Sequence, residues 1–157
     1  MSRLLQEVVR NAAPFIPILL VLTVLGGGQE ELGWRGYLQG ETLKRANPFL
    51  VSLFIGIIWS AWHLPMWLYK PSGQYGLNFG LFTLMVVAFA VQQTWLYAKT
   101  GGLVITAALM NATINASQFI YNVLGTTVNP QVIGRIVQWI IAVILVFTML
   151  RYFFRKQ

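Results

Sequence analysis

Two adjacent carboxylates stand beside an arginine in an otherwise apolar part of the sequence, and the spacing suggests a different role for each of them. Glu31 lies four residues before Arg35, so the two side chains share a helical face and can form an ion pair. Glu30 then points about 100° away around the helix, toward a different neighbour. A carboxylate without an intrahelical partner can act as a general base on a water molecule. We therefore expect hydrolytic chemistry at Glu30, unless the cluster is simply solvated at a helix end.

The only histidine of the chain lies in a second cluster, which also has helical spacing. Trp59 and His63 are four residues apart and share a face, and Pro65 follows where the helix should loosen. Imidazole is the side chain that most often transfers protons in enzymes. A lone histidine near a helix end is more often structural, so a functional role for His63 depends on its proximity to the carboxylates.

Side-chain amides form a third cluster, and they recur at the spacing of a single helical face. The stripe consists of Asn111, Asn115, Gln118 and Asn122. Amide N–H groups can donate hydrogen bonds to an oxyanion, and they can equally bond neighbouring helices to each other in a membrane. We leave both roles open for Asn111 and Asn115. For the other two stripe residues, and for Gln92 and Gln93, we expect hydrogen bonds between helices.

The composition indicates which elements must position these clusters. Hydrophobic residues make up 57% of the 157 residues and charged residues only 10%, whereas a soluble domain has roughly 25% charged residues. Charge-free stretches cover residues 11–29, 46–69, 71–98, 100–134 and 136–150. Because a membrane-spanning helix needs roughly 20 apolar residues, the pattern predicts an all-α, polytopic transmembrane helix bundle with about five spans. We expect residues 1–157 to form a single domain.

The predicted spans are joined by short loops, so consecutive helices should be antiparallel neighbours. The first span begins near Ala12, and it either continues as one helix to about Lys44 or breaks at the three glycines of residues 26–28. The later spans are expected at Pro48–Tyr69, Leu77–Ala98, Leu103–Leu124 and Val132–Phe154.

The charge distribution points to membrane lipid as the partner of the basic residues. The chain has eleven Lys and Arg residues and four acidic residues, which gives a formal net charge of +7. The basic residues lie a few at a time between apolar stretches and form no dense patch. Anchoring at the membrane surface therefore explains them better than binding to nucleic acid.

Absent residue types exclude several kinds of chemistry. The chain has no cysteine, which rules out disulfides, thiolate metal sites and a cysteine nucleophile. A zinc site normally takes three or four His, Cys or carboxylate ligands. Only Glu30, Glu31 and His63 are candidates, and Glu31 is expected to pair with Arg35. A tightly held zinc ion is therefore disfavoured, and a water molecule activated by glutamate is the simplest chemistry.

The three clusters, taken in order, resemble the motifs of the CPBP family of intramembrane proteases. This family includes the type II CaaX prenyl endopeptidases and the bacteriocin-processing and immunity proteins. Its motif E-E-x-x-x-R is similar to Glu30–Arg35, and its motif F-x-x-x-H is similar to Trp59–His63, with Trp in place of Phe. Its motif H-x-x-x-N is similar to Asn111–Asn115, with Asn in place of the usual His. The resemblance covers residues 20–120 approximately.

This resemblance implies an intramembrane endopeptidase that hydrolyses a peptide bond near the membrane surface, in a peptide or a prenylated protein. It implies catalytic roles for Glu30, His63, Asn111 and Asn115, and supporting roles for Glu31 and Arg35. In that scheme, Glu30 activates water with the help of His63, and the asparagines polarise the scissile carbonyl. The family is often described as metalloproteases, which makes zinc a candidate cofactor by resemblance, although an amide at position 111 is a poor metal ligand.

Two other functions remain open from the sequence. Asn in place of His at position 111 favours a non-catalytic relative, such as a bacteriocin-immunity or partner-binding membrane protein. A transporter or channel could use the carboxylates and the amide stripe as an ion path. Against this last alternative, the sequence has no visible inverted repeat, and only one span carries carboxylates.

Overall fold

The structure is a computed structural model that describes residues 15–124, 130–148 and 150–154. All regular elements in these residues are helices, which confirms the predicted all-α fold. They are α1 (Phe15–Leu25), α2 (Glu30–Thr42), α3 (Pro48–Trp62), α4 (Pro65–Leu68), α5 (Phe79–Lys99), α6 (Val104–Leu124), α7 (Pro130–Thr148) and α8 (Leu150–Phe153).

Two helical segments are long and apolar enough to cross a membrane by length and composition, namely Pro48–Leu68 and Phe79–Lys99. Helices α1 and α2 meet the same criterion together, as a pair bent by 48°. The described parts of α6 and α7 contain shorter apolar stretches, Val104–Ala116 and Ile136–Thr148. The helical membrane bundle is thus confirmed for two or three spans, and the remaining spans stay predictions.

Local sequence signals explain where the two longest spans begin. The side chain of Asn47 accepts a hydrogen bond from the backbone N–H of Leu50 at 3.0 Å, and proline occupies the first position of α3. The side chain of Asn78 caps α5 in the same way, accepting from the N–H of Leu81 at 3.0 Å. Such a cap stabilises a helix by about 1 kcal/mol. The start of α3 therefore matches the prediction, and α5 begins two residues later than expected.

The three glycines of residues 26–28 break the first span, so the alternative of a single long helix is wrong. Gly27 has a φ of 109°, which side chains with a Cβ rarely adopt. A Cβ at Gly26 would lie 2.1 Å from Leu22 Cδ2, and one at Gly28 would lie 2.4 Å from the carbonyl oxygen of Thr23. Only glycine fits at these positions, and the break separates α1 from α2.

Helix packing follows the distribution of small residues. Helices α3 and α5 pack most extensively, and a Cβ at Gly56 would lie 2.8 Å from Val87 Cα, so the two backbones approach closely. Helix α6 is lined by buried alanines, among them Ala108 and Ala112. Helix α1 packs chiefly against α6, which is distant from it in the sequence. This packing brings the glycine break beside the amide stripe.

Helix α2 contains a π-helical turn over Trp34–Gln39, which the sequence pattern did not predict. Such turns occur mostly as single insertions and are frequent at functional sites. This turn carries Arg35 and Gln39 into the interior, where both side chains are fully buried. The buried polar side chains of α2 therefore lie on an irregular helix, where they meet side chains of α5 and α6.

Candidate functional site

Glu30, the first residue of α2, is held by the tryptophan of the second cluster. The indole Nε1–H of Trp59 donates a hydrogen bond to Glu30 Oε2 at 2.8 Å. Trp59 is buried and Glu30 is half-buried. The contact joins two clusters that are separated by 29 residues in the chain. Glu30 therefore points to a neighbour other than Arg35, as the sequence predicted.

His63 lies at the C-terminal end of α3, where its ring meets the backbone of the same tryptophan. Its Nδ1 lies 2.8 Å from the carbonyl oxygen of Trp59. Because a carbonyl oxygen can only accept, Nδ1 is the donor in this contact, which in a neutral imidazole leaves the lone pair on Nε2. The ring packs edge-on against Phe82 with centroids 5.3 Å apart. Trp59 thus contacts Glu30 through its indole and His63 through its carbonyl.

The expected ion pair between Glu31 and Arg35 is present and fully buried. Arg35 Nη1 lies 2.8 Å from Glu31 Oε2, and both side chains are 0% exposed. The Arg35 guanidinium also lies over the Trp59 ring, with Cζ 4.7 Å from the centroid. A guanidinium attracts the face of an aromatic ring. The supporting pair and the Glu30–Trp59 contact therefore share one indole.

The carboxylate of Glu31 is the point where three helices meet. Its Oε1 accepts from the amide of Asn111 on α6 at 2.7 Å and from the amide of Gln93 on α5 at 3.2 Å. Gln92, next to Gln93, donates instead to the carbonyl oxygen of Gln138 on α7 at 2.8 Å. Both glutamines therefore form the hydrogen bonds between helices that the sequence predicted.

The two asparagines of α6 bind the backbone of the glycine break. Asn111 Nδ2 donates to the carbonyl oxygen of Gly27 at 3.1 Å, and Asn115 Nδ2 donates to that of Gly26 at 2.8 Å. Asn115 Nδ2 also donates to Asn111 Oδ1 at 3.1 Å. The break supplies these carbonyls because it interrupts the regular hydrogen bonding of the helix.

Every amide hydrogen of these two asparagines therefore already has an acceptor within the protein. A side-chain amide has two donor hydrogens. Those of Asn111 go to Glu31 and Gly27, and those of Asn115 go to Gly26 and Asn111. A donor to a substrate oxyanion would have to exchange one of these partners. The side chains of the other stripe residues, Gln118 and Asn122, lie outside the described residues.

The structure brings all six predicted site residues into one connected set of contacts with Trp59. Asn115 joins this set through Asn111. The spacing predicted that Trp59 shares a helical face with His63, but it predicted no role for Trp59. The glycines of residues 26–28 were predicted only to break a helix. The signal for Trp59 was its position four residues before His63, which aligns the two along α3.

The donor set around Glu30 does not fit a zinc ion. In the described part of the chain, no three His, Asp or Glu side chains are grouped so that they could hold a metal ion. Glu31 is already paired with Arg35, and an amide stands at position 111. A zinc site needs three or more protein ligands of these types. No step of the chemistry below is therefore assigned to a metal.

Comparison with known proteins gives two matches. A family described as type II CAAX prenyl endopeptidase Rce1-like has a sequence profile that matches residues 12–117. A CAAX prenyl protease 2 of Methanococcus maripaludis is 31% identical over 151 residues, which cover 90% of this chain and 53% of that protein. The chain thus spans about half the length of the curated relative. No solved structure matches it significantly.

Proposed function

Because this chain belongs to the Rce1-like family of type II CAAX prenyl endopeptidases, we propose that it is an intramembrane endopeptidase. Like that family, it is an integral membrane protein. The observation that carries the proposal is that Glu30 and His63 both contact Trp59, through its indole and its carbonyl. A carboxylate and an imidazole on one tryptophan can flank a single water molecule, so that one group acts as the general base and the other orients the water.

The proposed reaction uses Glu30 as the base. Glu30 Oε2 is bonded to the indole, so Oε1 is the oxygen that takes a proton from water. The hydroxide attacks the scissile carbonyl carbon and forms a tetrahedral oxyanion. The C–N bond then breaks, and the proton passes from Glu30 to the leaving amine. His63 Nε2 accepts a hydrogen bond from the same water through its lone pair and so orients it for attack.

Asn115 is the better placed of the two asparagines to stabilise the oxyanion. Asn111 is only 6% exposed, and its amide ties the Glu31 carboxylate to α6. Asn115 is half-buried and donates to the backbone oxygen of Gly26, which a substrate oxygen can replace. In this scheme Asn111 orients Asn115 by accepting its second hydrogen.

We propose a peptide or a prenylated protein as the substrate, because the relative from Methanococcus maripaludis is named a CAAX prenyl protease. The test is cleavage by the chain in proteoliposomes. Two fluorogenic peptides of the same sequence, with and without a farnesyl group on cysteine, distinguish the substrate classes. Release of the C-terminal fragment by the wild type, and its loss in Glu30→Gln, supports the proposal. Equal release by both proteins contradicts it.

The hydrogen bonds of Asn111 and Asn115 favour a second candidate function, which is binding of a partner without catalysis. If neither asparagine can turn toward a substrate, the chain is a non-catalytic relative that binds a partner in the membrane. The specific observation is that all four amide hydrogens already have acceptors. Under this alternative, the wild type cleaves neither peptide, and Glu30→Gln binds the farnesylated peptide as tightly as the wild type does.

A further inference from the structure

Trp59 is the one described residue that contacts Glu30, Arg35 and His63 directly. Its Nε1–H donates to Glu30, its ring face carries the Arg35 guanidinium, and its carbonyl oxygen accepts from His63. The three contacts use the indole N–H, the ring face and the backbone carbonyl of Trp59, so they can form at the same time. A substitution of the side chain therefore changes the contact with Glu30 and keeps the backbone contact with His63.

The indole is itself held rigidly. Trp59 is 6% exposed and packs with Val86 and Phe89 of α5 in a buried cluster. Trp34 of α2 packs against the same cluster. A ring fixed by such contacts keeps its N–H direction, and a carboxylate bonded to it loses rotational freedom before substrate arrives.

From these contacts we infer that Trp59 is a positioning residue, whose indole N–H holds the Glu30 carboxylate with one oxygen tied and the other free for water. This inference rests on the proposed function, because it assigns Glu30 as the base. It also gives the tryptophan a role that phenylalanine, the residue of the family motif, cannot fill. Phenylalanine would keep the ring and its packing but would offer no donor to Glu30 Oε2.

The kinetic test is Trp59→Phe in the proteoliposome assay. Loss of a hydrogen bond to a charged group should lower kcat about 10- to 100-fold. KM should stay within about twofold, because the buried indole is assigned to hold Glu30 and not to bind substrate. The matched control is Trp62→Phe on the same helix. The Trp62 side chain is 65% exposed and forms no hydrogen bond with a described residue, so the kcat of this variant should match that of the wild type. A Trp59→Phe protein with the kcat of the wild type overturns the inference.

A spectroscopic test does not depend on activity. In protein labelled with ¹⁵N at the indole nitrogens, Trp59→Phe identifies the Trp59 resonance by its disappearance. Glu30→Gln weakens the acceptor and should move this resonance upfield in the proton dimension, because the hydrogen bond loses its charged partner. Glu41→Gln, which changes an exposed carboxylate, should leave it in place. A Trp59 resonance that is unchanged in Glu30→Gln contradicts the inference.

The two measurements separate failure of this inference from failure of the proposed function. A wild type that cleaves and loses activity in Glu30→Gln, with Trp59→Phe fully active, removes the positioning role and keeps the protease. A wild type that cleaves neither peptide removes the protease, and the indole resonance then decides whether Trp59 holds Glu30.

Discussion

Asn111 donates one amide hydrogen to the carboxylate of Glu31 at 2.7 Å, across 80 residues of sequence. Its other hydrogen goes to the carbonyl oxygen of Gly27 at 3.1 Å. A neutral imidazole has one N–H and could satisfy only one of these acceptors. The asparagine that stands in place of the histidine of the family motif thus ties α6 to both α2 and the glycine break.

Replacing Asn111 with alanine should therefore destabilise the fold. The variant leaves the buried carbonyl of Gly27 without its side-chain donor and removes the 2.7 Å contact to Glu31. The expected cost is about 1–3 kcal/mol, measured by chemical unfolding in detergent micelles. Ile105→Ala is the control, because Ile105 is exposed on the same helix. Equal stability of the two variants would contradict the structural role of Asn111.

Glu30→Gln should abolish cleavage and leave the fold intact. The amide keeps an acceptor oxygen for the Trp59 N–H but cannot take a proton from water, so turnover should fall by about 10²–10⁴-fold. The midpoint of thermal unfolding should stay close to that of the wild type. Glu41→Gln changes an exposed carboxylate on the same helix and should cleave normally. Normal turnover by Glu30→Gln would remove Glu30 as the base.

Breaking the buried ion pair should cost far more stability than breaking an exposed one. Arg35→Ala leaves the buried carboxylate of Glu31 without its countercharge, at a cost of about 3–5 kcal/mol. Lys44→Ala breaks the exposed pair with Glu41, which should cost less than about 1 kcal/mol. Unfolding of both variants in the same detergent measures the difference. Similar losses would show that burial does not govern the Glu31–Arg35 pair.

Gly27→Ala should damage the site through the backbone. Gly27 has a φ of 109°, and a Cβ there would lie 2.8 Å from Asn115 Nδ2. The strain of this backbone conformation costs about 1–3 kcal/mol, and the displaced amide should lower turnover. Gly33→Ala is the matched control, since a Cβ there would point into open space and the backbone of Gly33 is helical. That control should be neutral or stabilised by about 0.5–1 kcal/mol.

Asn115→Ala distinguishes the protease from the partner-binding alternative. Loss of an oxyanion donor should lower kcat by about 10²–10³-fold, with little change in KM. If Asn115 serves only to bind the Gly26 carbonyl, the substitution lowers the unfolding temperature and kcat stays within about threefold of the wild type. Measuring both quantities on the same preparation decides between the two roles.

Short-range spacing was sufficient to predict several features of this site. The spacing of four residues between Glu31 and Arg35 predicted that they share a helical face and form an ion pair. The same helical geometry predicted that Glu30 contacts a different neighbour. The predicted start of the second span at Pro48 is also the first residue of α3. These features depend on helix periodicity and local hydrogen bonds, which any helical segment of this sequence would have.

The identity of each partner depended on the tertiary structure. Helix periodicity determines on which face of its helix a side chain lies. Which residue that side chain contacts depends on which helices pack together. Packing of α1 against α6 gave Asn111 and Asn115 the carbonyls of the glycine break as acceptors, and packing of α2 against α3 gave Glu30 the indole of Trp59. Sequence alone therefore determined the helices and the residues that could do chemistry. The packing of distant segments, driven by burial and close backbone contact rather than by local spacing, decided which of those residues meet.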